Sequence, residues 1–157
     1  MRFIYMYICS EIRKGQSKMN IGEKQKLVIN EENYVTEAEN AIKKLIAEKD
    51  PKYNKPLPLV TTSKIRNLLA MVSDIYNDVL NVKDEKLSSE VIGRINYMKL
   101  RFYYEAGREE TVKRLLKTAG VFDVIDGIGN SRKNYILFSR YIEALVAFRK
   151  YYGGRDE

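Results

Sequence analysis

Apolar residues recur at intervals of three and four along five stretches of the chain, which is the spacing of helices that bury one face. The clearest stretch begins Ile65, Leu68, Leu69 and continues without interruption to Val79. The five stretches predict helices over 33–48, 63–80, 89–106, 109–118 and 132–152. The pattern therefore predicts an all-α fold, a compact bundle of about five helices.

Residues that start or stop helices mark the boundaries of these stretches. Side chains able to cap a helix precede four of them: Asn33, Thr62 or Ser63, Ser88 or Ser89, and Ser131. All three prolines fall in 50–59, which is predicted to be a linker because proline cannot occupy a helix interior. The segment VFDVIDGIGN (121–130) is predicted to be a turn-rich connector with at most one helical turn.

The helices define the predicted domain organisation. Residues 33–154 are predicted to form a single helical domain, and 1–32 a flexible N-terminal extension. We hypothesise that translation starts at Met19, because residues 1–18 combine a short apolar run with a polar stretch. That apolar run is too short to span a bilayer and lacks a clear cleavage site, so we expect a cytoplasmic protein with no membrane partner.

The last predicted helix is apolar most of the way round. Such a helix either occupies the centre of its bundle or faces another subunit. Arg149 falls on its apolar side, where a buried guanidinium needs a carboxylate, a phosphate or a second subunit as partner. Leu100, on the outward side of the third helix, also indicates a protein partner.

Charge narrows the classes of partner. The chain has 28 Lys and Arg against 21 Asp and Glu, a formal charge of +7. An excess of positive charge favours nucleic acid or an acidic membrane surface as the binding partner. A charge of this size also lies within the range that ordinary solubility requires.

Several kinds of site are excluded by composition. Histidine is absent, which removes the usual neutral-pH acid and base, and Cys9 is the single cysteine. No glycine-rich phosphate loop and no zinc motif is present. Asp123 and Asp126 could touch a magnesium ion, but ordinary surface carboxylates are the preferred interpretation. The chain is therefore predicted not to be an enzyme and to bind no cofactor or metal.

The third helix carries the strongest candidate for binding. Arg94, Arg101 and Arg108 are seven residues apart and line one flank, with Tyr97 and Tyr104 beside them. At about 1.5 Å of rise per residue, this flank extends over roughly 21 Å. Guanidinium groups bind phosphate and tyrosine rings stack on bases, so the pattern indicates a nucleic-acid surface. The alternative is that the tyrosines pack on neighbouring helices.

Two further helix segments carry candidate phosphate contacts. The sequence TTSK (61–64) opens the second helix, and a helix start presents free amide groups that suit an anion. Lys64 could complete such a phosphate-binding site. The alternative is that Thr62 or Ser63 only caps the helix. On the last helix, Lys133 and Arg140 share the polar face.

Four segments resemble one known family. They are ENYVTEAENAIK (32–43), TTSKIRNLLAMVSDIY (61–76), MKLRFYYEAGREETV (98–112) and SRYIEALVAFRKYYGG (139–154). Their order and spacing are similar to those of the small subunit of the type III-A CRISPR effector, the Csm complex.

The resemblance implies a helical bundle without a nuclease or nucleotide-binding site. It implies copies that associate with one another in a filament along the guide RNA and target RNA, beside the backbone subunit and meeting the large polymerase-like subunit. The small subunits would help to hold the target strand for antiviral defence. Together with the helical pattern, it selects these RNA-contact candidates: Lys64, Arg66, Arg94, Arg101, Arg108 and Arg140.

The sequence leaves one alternative to RNA binding open and disfavours two others. A purely structural adaptor would direct the same basic flank toward an acidic protein surface. A small enzyme is disfavoured by the absence of histidine and of any nucleophile–base pair. A membrane binder is disfavoured because the apolar faces are needed for the core.

Overall fold

The computed structural model describes residues 25–153, and this part of the chain contains six α-helices and no strand. The helices are α1 Tyr34–Ala47, α2 Thr62–Asn81, α3 Ser89–Arg108, α4 Glu110–Thr118, α5 Val121–Asp126 and α6 Arg132–Tyr152. None of these six is both long enough and apolar enough to cross a membrane. The predicted all-α bundle is confirmed.

Helix α5 lies where the sequence predicts a turn-rich connector. It has only six residues, too few for a periodic pattern to be recognised. Val121, Val124 and Ile125 are buried in the main core. Packing of these side chains supplies the stability that a helix of this length lacks by itself.

Helix α6 lies at the centre of the bundle. Its contacts with α1 and α2 are the most extensive between any two described helices. Tyr135, Phe138 and Tyr141 are fully buried, which explains why the helix is apolar around most of its circumference. Of the two arrangements that the sequence allows for this helix, the structure therefore shows the central one.

Three polar side chains that α6 carries into the core donate hydrogen bonds to backbone carbonyls. The Tyr135 hydroxyl donates to the Val72 carbonyl at 2.7 Å, and the Tyr141 hydroxyl donates to the Ala119 carbonyl at 2.7 Å. Arg149 is 5% exposed, and its Nε donates to the Val60 carbonyl oxygen at 2.6 Å. The partner of Arg149 is thus a backbone carbonyl of the same chain, at the start of the segment that leads into α2.

Most helix ends agree with the predicted boundaries, and three differ. Thr61 rather than Thr62 or Ser63 caps α2, because its Oγ1 accepts from the Lys64 amide at 3.3 Å. Asn33 makes no capping bond to α1, since its Oδ1 accepts from the Asn30 amide at 2.7 Å. Helix α3 continues through Gly107 to Arg108, two residues beyond the predicted end.

Residues 25–32 are the part of the predicted extension that the structure describes. They form no helix or strand, but Leu27 and Ile29 pack against the core. The Leu27 amide donates to Asp123 Oδ2 at 3.3 Å. Leu27 also lies so close to Gly120 that a Cβ there would sit 2.9 Å from its side chain. The hypothesised start at Met19 lies outside the described residues.

Candidate nucleic-acid interface

Helices α2 and α3 lie side by side and run in opposite directions. At one end, Lys64 Nζ in the first turn of α2 lies 2.6 Å from Glu109 Oε2, just beyond the end of α3. At the other end, Arg94 in the second turn of α3 forms an ion pair with Asp78, near the end of α2. This arrangement brings Lys64 beside the end of α3, a proximity that the sequence does not reveal.

The predicted arginine–tyrosine flank, comprising Arg94, Tyr97, Arg101, Tyr104 and Arg108, lies on a single continuous helix. Because α3 includes Gly107, Arg108 keeps the register of the other two arginines. The side chains of Arg101 and Arg108 are 47% and 57% exposed. The flank is therefore open to a ligand over roughly 21 Å of helix rise.

The two tyrosines of this flank face outward. Tyr97 is 61% exposed and Tyr104 is 58% exposed, so neither packs into the bundle. The Arg108 guanidinium carbon lies 5.5 Å from the centroid of the Tyr104 ring, within the range of a cation–π interaction. The alternative that these tyrosines fill gaps between helices is wrong, and their rings are available for stacking.

Arg101 and Arg108 both have the carboxylate of Glu105 nearby. Glu105 Oε1 lies 3.9 Å from Arg101 Nη2 and 3.7 Å from Arg108 Nη1. Exposed ion pairs of this kind contribute at most about 1 kcal/mol to the stability of the fold. A guanidinium has five N–H donors, so one long contact to a carboxylate leaves most of them free for phosphate.

Arg94 is more constrained than the other two arginines. Besides its ion pair with Asp78, its Nη2 donates to the Asp74 carbonyl oxygen at 3.3 Å. Its side chain is 44% exposed. Arg94 thus joins α3 to α2 and offers fewer free donors than Arg101 or Arg108.

The other two sequence candidates lie on different surfaces. Arg66 is two residues from Lys64 and so points roughly 200° around the axis of α2 from it. Arg140 is on the outer face of α6, beside a surface groove that also contains Lys133, Asp84 and Glu85. Both side chains are exposed and have no ion-pair partner within residues 25–153. Ion pairs therefore place Lys64 and Arg94 at opposite ends of the contact between α2 and α3, and α3 also carries Arg101 and Arg108.

The predicted phosphate-binding site at the start of α2 is not accessible to a ligand. Thr62 is 1% exposed, so a ligand cannot reach its hydroxyl. The Lys64 amide is occupied by Thr61 Oγ1, and the Lys64 ammonium is paired with Glu109. The geometry favours simple capping here, with Lys64 contributing its charge to the end of the arginine–tyrosine flank.

Comparison with known proteins identifies the family. The family model described as Csm2 Type III-A matches residues 36–155. The chain belongs to the Csm2 Type III-A family. The resemblance to the small subunit of the type III-A effector is thereby confirmed.

Individual members of the Csm2 family align with most of their own length. A relative from Streptococcus thermophilus, described as CRISPR system Cms protein Csm2, is 41% identical over 82% of this chain and 98% of its own. One of the same description from Enterococcus italicus is 38% identical over 59% of this chain and 68% of its own. One from Mycobacterium tuberculosis is 32% identical over 62% of this chain and 79% of its own.

A groove beside the arginine–tyrosine flank of this Csm2 family member was not predicted. It has a volume of about 530 Å³, lies between α2 and α3, and has Met71, Ile75 and Met98 along its apolar part. Tyr97 and Arg101 form part of its rim. Periodicity places these side chains on their helices, but only the packing of α2 on α3 leaves a space between them.

The acidic pair considered for magnesium is engaged elsewhere in the fold. Asp123 accepts the Leu27 amide, and Asp126 forms an ion pair with Lys99. Within residues 25–153, no group of three or more Cys, Asp and Glu side chains is arranged to hold a metal ion. Both carboxylates therefore have structural roles, holding the N-terminal segment and joining α5 to α3.

Proposed function

We propose that this member of the Csm2 family is a non-catalytic RNA-binding subunit of a type III-A CRISPR ribonucleoprotein, the Csm complex. Its role is to contact RNA through the arginine–tyrosine flank and Lys64, and so to help hold the target strand in antiviral defence. The observation that carries the proposal is the joint exposure of Arg101, Tyr104 and Arg108 on one side of α3.

The chemistry of the flank suits an RNA strand. The arginines supply charge-assisted hydrogen bonds to phosphate oxygens, and Tyr97 and Tyr104 offer faces to unpaired bases. The groove between α2 and α3 adds an apolar space next to Tyr97. No step of this interaction requires a cofactor or a metal.

The presence of several copies of this subunit along one RNA would strengthen such a contact. The curated relatives are described as proteins of a CRISPR system. Within a type III-A complex, copies of this subunit would lie along the guide RNA and target RNA, next to the backbone subunit and the large polymerase-like subunit. Linked copies raise the effective concentration of each contact, so a weak interaction per subunit suffices.

Arg66 and Arg140 remain candidates for RNA contacts made from other faces. Their exposed guanidinium groups have no ion-pair partner among the described residues, so they are free to meet a phosphate. In a filament, the face that carries Arg140 and the face that carries the flank would contact different strands or different neighbours.

One observation favours a second function, that of a structural adaptor. Leu100 is 61% exposed and lies on α3 between the two outward tyrosines. A surface with an exposed leucine and tyrosine rings also suits a protein partner. In that case the arginines would contact an acidic subunit and no RNA.

The test is removal of charge from the flank. Arg101→Gln with Arg108→Gln should weaken binding to single-stranded RNA and lower the slope of log affinity against log salt by about 1.4, or about 0.7 for each lost phosphate contact. Fluorescence anisotropy measures both quantities. Lys26→Gln with Lys86→Gln is the matched control, because both lysines are exposed and lie elsewhere.

Circular dichroism establishes that the variants keep their fold. If the double arginine variant binds RNA with the salt slope of the unmodified protein, the proposed RNA surface is wrong. If that variant also fails to co-purify with the other subunits of the complex, the adaptor function is the correct one.

A further inference from the structure

The segment between α1 and α2 is a folded hairpin, although its three prolines predict a linker. The Asp50 amide donates to the Lys55 carbonyl at 2.8 Å, and the Asn54 amide donates to the Asp50 carbonyl at 2.8 Å. The Leu57 amide donates to the Glu48 carbonyl at 3.2 Å. Residues 49–57, here called the basic loop, therefore have a defined conformation.

The sequence of the basic loop explains its turn. Asp50 Oδ1 accepts the amides of Lys52 and Tyr53, each at 2.8 Å. Pro51 has a fixed φ that suits the first corner of a turn. Asn54 has φ of 52°, a left-handed conformation that asparagine tolerates better than most residues.

The base of the basic loop is attached to α4 by one arginine. Arg114 Nη2 and Nε donate to Glu48 Oε2 at 2.7 and 3.0 Å, on the residue that precedes the loop. Arg114 Nη1 donates to the Pro58 carbonyl at 2.8 Å, on the residue that follows it. Because the side chain of Arg114 is only 16% exposed, this attachment holds both ends of the loop against the bundle.

The basic loop presents positive charge and one aromatic ring. Lys49, Lys52 and Lys55 are exposed, and none has an ion-pair partner within residues 25–153. Tyr53 is 63% exposed, with Lys52 Nζ at 5.1 Å from the centroid of its ring. Asp50 is the only acid between 49 and 57, and one of its oxygens already accepts two amides.

This surface differs from the arginine–tyrosine flank in its charge balance. At the flank, Glu105 and Glu109 lie next to Arg101, Arg108 and Lys64. The three lysines of the basic loop pair with no carboxylate among residues 25–153, and they outnumber the one acid of the loop, Asp50. A polyanion therefore meets a net positive charge there and displaces no ion pair of the described chain.

We propose that the basic loop is a second contact for single-stranded RNA. Tyr53 stacks on an unpaired base, and Lys49, Lys52 and Lys55 contact the phosphates on either side of it. An exposed ring among unpaired lysines fits a strand with both bases and phosphates better than it fits an acidic peptide. The attachment by Arg114 fixes the loop before binding, which lowers the entropy cost of association.

The inference takes its ligand from the proposed function but uses a separate surface. The two can fail independently, since neither Arg101 nor Arg108 belongs to the basic loop. The chain contains no tryptophan. Tyr53→Trp therefore introduces a single tryptophan whose emission reports on stacking at the loop alone.

The experiment titrates full-length Tyr53→Trp with a short single-stranded RNA at low salt. Stacking should quench the tryptophan emission over the same RNA concentrations that raise the anisotropy of labelled RNA. Tyr151→Trp is the control, because Tyr151 is 80% exposed at the end of α6 and should show no quenching. Tyr53→Ala should weaken binding about tenfold, and Tyr53→Phe should restore it. Lys49→Gln with Lys52→Gln and Lys55→Gln should lower the salt slope by about 2.

The outcomes separate the two proposals. RNA binding by Tyr53→Trp without quenching of its emission would overturn the basic-loop contact and leave the flank intact. Quenching that persists in a background of Arg101→Gln and Arg108→Gln would support the loop as an independent contact. Equal quenching by polyglutamate would show that the loop recognises acidic peptide, and would overturn the inference.

Discussion

Lys64 and Glu109 form an ion pair with Nζ and Oε2 2.6 Å apart. The pair joins the first turn of α2 to the residue between α3 and α4, immediately after Arg108. A carboxylate held at this position competes with any phosphate that approaches Lys64. The internal pairing therefore sets how much of the positive charge at this end of the surface is available to RNA.

Glu109→Gln should strengthen RNA binding by freeing Lys64. We expect a several-fold gain in affinity at low salt and a salt slope steeper by about 0.7, as for one additional phosphate contact. Anisotropy titrations over a range of salt concentrations measure both. Glu110→Gln is the control, because its carboxylate pairs with Lys113 on α4 instead. Equal gains from the two substitutions would mean that net charge, and not the release of Lys64, controls affinity.

Two adjacent threonines at the start of α2 should respond in opposite ways. Thr61→Ala removes the capping oxygen and should lower the free energy of unfolding by about 1 kcal/mol. Thr62→Val should leave that free energy unchanged or raise it, because Thr62 Oγ1 is buried and has no hydrogen-bond partner among residues 25–153. Urea denaturation of both variants provides the measurement. The reverse order of stabilities would contradict the assignment of Thr61 as the cap.

Alkaline pH should destabilise the bundle through two buried tyrosines. Burial raises the pKa of Tyr135 and of Tyr141 well above the usual value. In the unfolded chain these hydroxyls lose their protons near pH ~10, whereas the folded chain retains them. Above that pH the unfolded state binds fewer protons, so the free energy of unfolding falls as pH rises.

The substitution Tyr135→Phe isolates this effect. It should cost about 1 kcal/mol at neutral pH through loss of the bond to Val72, and should make the alkaline decline shallower. Urea denaturation between about pH 9 and 11 measures the decline. Tyr151→Phe, at an 80% exposed position, should leave the profile unchanged. A decline that is equally steep in Tyr135→Phe would exclude this hydroxyl as its source.

Periodicity predicts the long helices because each buries one face over several turns. It does not predict helix α5, since Val121, Val124 and Ile125 occupy too few turns to establish a period. The prolines of the basic loop predict a linker because they exclude a helix. The hairpin that forms there depends on hydrogen bonds from Asp50 and Arg114 that composition does not reveal.

The candidate site is predictable in part, for a similar reason. Arg94, Arg101 and Arg108 lie on one helix, so their shared flank follows from a spacing of seven residues. The position of Lys64 beside Glu109, at the end of α3, follows only from the antiparallel packing of α2 on α3. Arg66 is close to Lys64 along the chain, but the turn of the helix directs its side chain elsewhere.

The hydrogen bond from Arg149 to the Val60 carbonyl has a consequence for the order of folding. Its two partners are 89 residues apart, and α6, which carries Arg149, is the last described helix and packs on both α1 and α2. Until α6 has been synthesised, the surfaces that α1 and α2 bury against it have no cover. We therefore expect the bundle to close only once the C-terminal helix is available, and a nascent chain that lacks it to depend on chaperones.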